Sequence, residues 1–133
     1  MNAVPPLPED FLQAWSEREP LAALATVGTD GAPNVIWVLC LHLTDEAQLV
    51  VADNAMNKTR ANIGAGSPGS LVFLARPRRA YQLKGPLSYH ADGPVFDAMK
   101  HGWLDDSYPG RGAVLMEIEE IYAGADKVWQ RDA

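Results

Sequence analysis

One cysteine, Cys40, and three histidines, His42, His90 and His101, supply every thiol and imidazole of this 133-residue chain. A single thiol excludes an intrachain disulfide and a thiolate-rich metal centre, and it fits a reducing, cytoplasmic setting. The histidines show none of the short spacings of a zinc site, so no metal is expected. Positive charge is scarce too, with 11 Lys and Arg against 17 Asp and Glu for a net charge of −6. That field opposes broad contact with nucleic acid or an anionic membrane, so any anion site must be local. Long apolar runs are missing: none reaches membrane-spanning length, and the opening MNAVPPLPED has neither the basic segment nor the apolar stretch of an export signal. GAGSPG, Gly64 to Gly69, spells Gly-x-Gly-x-x-Gly but stands as a Gly/Ser/Pro break before an apolar run rather than opening a helix after a strand, and no Walker loop or Gly-x-Ser-x-Gly occurs, which leaves dinucleotide folds, P-loop folds and triad hydrolysis without support.

What is present reads as a globular chain, 47% hydrophobic and 21% charged, of a length suited to a single domain over 1–133. Pro8 followed by Glu9 and Asp10 marks a helix start, with Phe11, Leu12 and Trp15 on its buried side. Residues 21–27 (LAALATV) predict a strand, and Asp30-Gly31 predicts a tight hairpin behind it. The returning strand, residues 34–43 (NVIWVLCLHL), is apolar on both faces: Val35, Trp37, Leu39 and Leu41 point one way, Ile36, Val38 and Cys40 the other. Such a strand needs cover on each side, and few helical segments are available to supply it. Its second face therefore has to meet a partner subunit, a ligand or a lone helix.

Further strands are expected over 48–52, 70–75, 80–90 and 113–121. Asp92-Gly93-Pro94 opens a helix in which Val95, Met99 and Trp103 recur at a spacing of four, and the tail GADKVWQRDA carries no strong pattern. Six strands joined mostly by tight turns, with one helix in front and one inserted late, predict a mainly β chain: a small antiparallel barrel with short flanking helices.

Three charged stretches stand out. Glu117, Glu119 and Glu120 read as the wet face of a strand, and RPRR (Arg76 to Arg79) as a solvated turn that could also meet an anion. NKTRAN, Asn57 to Asn62, differs because its parts act together. It follows the apolar run QLVVAD where a helix could begin, Lys58 brings full charge, and Thr59 brings a hydroxyl and an amide. That combination suits a phosphate, and a capped surface turn is the alternative.

Read in order, ATVGTDGAPNVIW, VVADNAMNKTRANI, YQLKGPLSYHADGPVFDAM and RGAVLMEIEEI resemble the FMN-binding split-barrel family, which includes pyridoxamine 5'-phosphate oxidases and flavin reductases, and in particular its small bacterial FMN-binding members. The resemblance implies a six-stranded antiparallel split barrel that binds FMN at a homodimer interface, with no nucleic acid or membrane partner. It places the phosphate on Lys58 and Thr59, with Asn57 and Asn62 as flanking helpers. It also runs the strand Asn34, Val35, Ile36 and Trp37 beside the flavin ring, with main-chain contacts at Ala52 and Asp53. The implied activity is electron transfer or small flavin-dependent redox chemistry, with no catalytic side chain singled out. A substrate-specific flavin reductase or oxidase, or a barrel taking haem or deazaflavin in place of FMN, are the alternatives. The Arg-rich substrate signature of pyridoxamine 5'-phosphate oxidase is missing, and AYQLKG only loosely matches that enzyme's corresponding strand.

Overall fold

The two-faced run after the first hairpin is where the architecture turns. In the computed structural model, which describes residues 4–132, it forms β2 (Pro33–Val38) and β3 (Leu41–Leu43), broken at Leu39 and Cys40. The break is fixed from across the sheet, where the Ala52 amide donates to the Cys40 carbonyl at 3.0 Å. It also shifts the side-chain phase. Val35, Trp37 and Leu39 stay exposed as one face, while Leu41, expected with them, is buried.

The chain opens with α1 (Glu9–Ser16), as its Pro-Glu-Asp start predicts, and continues through β1 (Ala22–Val27), β2, β3, β4 (Gln48–Asp53), α2 (Lys58–Gly64), β5 (Pro68–Ala75) and β6 (Arg79–His90). Then follow α3 (Gly93–Ala98), a π-helical turn over Met99–Trp103, β7 (Gly112–Glu117), β8 (Glu120–Ala123) and β9 (Asp126–Gln130). All strand pairs are antiparallel, in the order β2-β1-β5-β6-β7-β4-β3, with β8 on β6 and β9 on β8. This is a mainly β split barrel, with nine strands among the described residues where six were expected.

The extra strands have identifiable causes. The run 113–121 divides because Ile118 turns inward, its amide on the Ala47 carbonyl at 3.0 Å. Beside that division a side chain at Gly85 would come within 2.0 Å of the Glu117 carbonyl oxygen, so glycine is required in β6. The patternless tail supplies β9, held by one buried aromatic, Trp129. The late helix changes pitch after Ala98, where the Leu104 amide reaches back five residues to the Met99 carbonyl at 3.0 Å.

β6 joins the two halves of the barrel. Its first part pairs with β5 and β8, and its second, from Leu87, pairs with β7. Leu24, Leu49, Leu71, Leu83, Val114, Met116 and Ile121 fill the interior. One end is closed by aromatics: Phe11 and Trp15 of α1 meet Phe73 and Tyr81 edge to face, at ring separations between 5.0 and 5.8 Å. A second cluster, around Met99 and Leu104, covers Val50, Ala52 and Ala113. Among the described residues, no helix is long and apolar enough to cross a membrane.

Candidate functional site

β2 is an edge strand, and along it lies a groove of about 380 Å³. It is lined by Asn34, Ile36, Trp37, Val38 and Leu39 of the β2 run and by Ala52 of β4, together with the turn and helix start from Asn54 to Thr59. The groove therefore brings together Asn34, Ile36, Trp37, Ala52, Asn57, Lys58 and Thr59 of the expected set. Val35, Asp53 and Asn62 stand outside its lining.

Each of those three has a definite place. Val35 projects to the outer face and is 65% exposed. Asn62 sits one layer behind the groove, its Nδ2 donating to Thr26 Oγ1 at 3.1 Å. Asn34 Nδ2 donates to Thr59 Oγ1 at 3.0 Å, so a polar seam of Thr26, Asn34, Thr59 and Asn62 joins β1, β2 and α2 under the groove floor. Thr59 is buried, and its hydroxyl accepts from Asn34 and donates to no group among the described residues. Lys58 and Arg60 enter none of the ion pairs among the described residues.

Asp53 turns its side chain into the protein and is fully buried. One carboxylate oxygen accepts the Met56 amide at 2.7 Å, and the other accepts the Tyr89 hydroxyl at 2.6 Å. Arg111 Nη2 lies 3.4 Å from Asp53 and donates to the Met56 carbonyl at 3.0 Å. These bonds hold the turn after β4, which carries the groove wall from Asn54 to Asn57. Gly112, opposite Asp53 on β7, makes room for Tyr89: a Cβ there would come within 2.3 Å of the phenolic oxygen. Burial, then the bond to Asp53, pushes the Tyr89 phenol above its ordinary range, and the neighbouring Arg60 acts in the opposite sense.

Sequence reasoning missed Asn54, Ala55 and Met56 as lining, although the asparagines of NAMN flank that wall. It also gave no hint of the Asp53–Tyr89 bond, whose partners are 36 residues apart.

The outer face beside the groove is apolar. Trp37, 72% exposed, lies opposite Ala23 of β1, which lies opposite Val72 of β5, so one row crosses three strands with a small residue at its centre. Val35 and Leu74 extend this face. Exposed apolar residues on an edge strand and its neighbours are a surface that folded proteins normally cover.

Residues 8–124 match the family described as pyridoxamine 5'-phosphate oxidase, and the chain belongs to that family. It is 29% identical over 126 residues to an uncharacterized protein of Methanocaldococcus jannaschii, covering 91% of this chain and 83% of that one. It is 28% identical over 102 residues to the FMN-binding protein of Nitratidesulfovibrio vulgaris, covering 70% and 82%. Among solved structures, HupZ of Group A Streptococcus has the same fold, with a TM-score of 0.77 at 21% identity, covering 96% of this chain and 99% of that one.

Proposed function

We propose that this protein is a flavoprotein that holds FMN along β2, and that two copies pair through the apolar face of β1, β2 and β5 to close the site. The observation that carries the reading is that one groove is lined both by the largely apolar run Ile36 to Leu39 and by Lys58 and Thr59. The donor set fits the cofactor. An amphiphile with a flat apolar ring system and a dianionic end matches a groove that combines apolar lining with an ammonium lacking a carboxylate partner among the described residues and with the Thr59 hydroxyl. The family match and the FMN-binding relative support the same assignment.

FMN, when bound, supplies electron or hydride transfer through its ring nitrogen N5. The groove lining includes no His, Asp or Glu, so the chain's own contribution is to bind and orient. Lys58 and Thr59 hold the phosphate, Asn34 fixes the Thr59 hydroxyl, and the Asp53–Tyr89 pair keeps the wall in place. Trp37 and the second copy keep water from the ring. The role is that of an electron carrier or a small oxidoreductase.

The test is the visible spectrum of the purified protein together with FMN and riboflavin affinities of Lys58→Ala and Thr59→Ala. Charge-assisted bonds of roughly 1.5–3 kcal/mol make a loss of about 10- to 100-fold for FMN the expected result, larger for Lys58→Ala, with riboflavin binding unchanged. Equal losses for both flavins would remove the phosphate assignment, and a Soret band with no flavin absorbance would replace the cofactor.

A further inference from the structure

The wall from Asn54 to Asn57 has a second side. Behind it lies another groove, about 400 Å³, that also takes in Arg60, Pro109 and Arg111. Two guanidinium groups thus share one surface depression on a chain of net charge −6. Among the described residues, no carboxylate lines this groove. Arg111 is held at one edge by the Met56 carbonyl and by Asp53, yet its side chain remains 47% exposed. Asp53 is the only carboxylate paired with it among the described residues, is fully buried, and already accepts from Met56 and Tyr89. Arg60 lies beside the Tyr89 hydroxyl and has no carboxylate partner among the described residues.

Two like charges around one hollow repel, and an anion between them reverses the sign of that term. Arg111 is also pre-oriented, so it loses less freedom on binding than a free side chain would. Asn57, exposed and facing both grooves, adds an amide donor. Lys58 and Thr59 belong to the other groove, so this pair of arginines is separate from the proposed phosphate seat.

We infer that this second groove is an anion subsite, formed by Arg60 and Arg111, for the phosphate or carboxylate end of a small molecule that reaches over the 54–57 wall into the first groove. Its role as the substrate's subsite rests on the proposed cofactor groove; the anion site itself rests on Arg60 and Arg111.

The experiment uses protein saturated with FMN, so that Lys58 and Thr59 are occupied, and follows the Nε–H resonances of Arg60 and Arg111 during titration with inorganic phosphate and, separately, with acetate. Sodium chloride at matched ionic strength is the control. The expected result is a saturable shift at both arginines with at least one anion and none with chloride, the stronger anion identifying the ligand's charged group. Arg60→Gln should weaken that anion by about tenfold and leave FMN affinity intact. Shifts that chloride reproduces, or no saturable shift with either anion, would overturn the subsite. So would a tenfold loss of FMN affinity in Arg60→Gln with riboflavin unchanged, since the groove would then belong to the cofactor's own phosphate. If FMN fails to bind, the cofactor reading falls, and the same resonances decide the anion site on the protein alone.

Discussion

Two short cationic stretches, Lys58 to Arg60 and Arg76 to Arg79, look alike as strings and do opposite things. In the second, two of the three arginines meet carboxylates, and Arg78, exposed and in none of the ion pairs among the described residues, lines neither of the two grooves. Arg79 pairs with Glu17 at 2.8 Å, Arg76 pairs with Glu19, and Arg18 bonds the Trp15 carbonyl at 2.9 Å while its guanidinium stacks on that indole at 4.0 Å. With the Glu19 amide on the Leu74 carbonyl at 2.7 Å, these contacts fasten the end of α1 to the β5–β6 hairpin. The one unsatisfied Arg79 nitrogen, Nε, is buried, where no ligand reaches it. In the first stretch, neither Lys58 nor Arg60 has a carboxylate partner among the described residues, and each borders a groove. On an acidic chain, density of positive charge is the weaker signal. A cation left without its acid beside a concave surface is the stronger one.

The contrast breaks most visibly under charge reversal. Lys58→Glu should abolish measurable FMN binding, because it replaces the phosphate's cation by an anion; Arg79→Glu should leave FMN affinity as it was and lower the thermal midpoint instead. Titration of both variants with FMN, followed by flavin fluorescence, checks this. Loss of FMN in Arg79→Glu at a temperature where it is fully folded would put function into the hairpin turn and erase the distinction.

The groove at Lys58 is expected to need a second copy, whereas the clamp at Arg79 is complete within one chain. Trp37→Glu puts a charge into the row Trp37, Ala23 and Val72, so the dimer should dissociate at low micromolar concentration. FMN affinity should fall with it, because stability and ligand binding are linked through the shared interface. Obligate interfaces commonly bury more than about 2,000 Å², so wild type should sediment as a single dimeric species. A folded wild-type monomer saturated with FMN would sever cofactor from interface.

How much of this could be seen in the sequence depends on how local each cause is. NKTRAN was legible because its charge, hydroxyl and helix start are neighbours in the chain, and the two-faced strand was legible because alternation is a local pattern. The break after Val38 was not, since it is set by Ala52, which meets Cys40 only across the sheet. Asp53 is expected from the sequence only as a main-chain contributor, and the structure adds a role for its side chain, which organises the wall. That role needs Tyr89 and Arg111, which the β4–β7 and β6–β7 pairings bring to it from far along the chain. β9 hid behind a single aromatic, Trp129, whose burial depends on β8 beside it. Arg60 and Arg111 fall in the same class, 51 residues apart by number and together only once β7 is laid against β4.

The smallest expected effect tests the clamp itself. The hydrogen bond from Arg79, then that from Gln13, holds the Glu17 carboxyl below its ordinary value of 4.5. A depressed folded-state value means that the charged form is favoured by folding. Its contribution is therefore present above about pH 4.5 and is lost as the pH falls through the lower folded value. Glu17→Gln keeps the shape and an acceptor but removes the charge. At pH 7 wild type should melt slightly higher than Glu17→Gln, by no more than a few degrees because the pair is on the surface. The gap should close on acidification below pH 4.5 and shrink at high salt. Arg79→Ala should show a similar small loss at pH 7 and a weaker dependence through Glu17, with only the Gln13 bond left to favour the carboxylate. A gap that holds constant from pH 7 into acid, or that survives high salt, would show that Glu17 acts by packing rather than by charge, and would leave the two cationic stretches distinguished by their grooves alone.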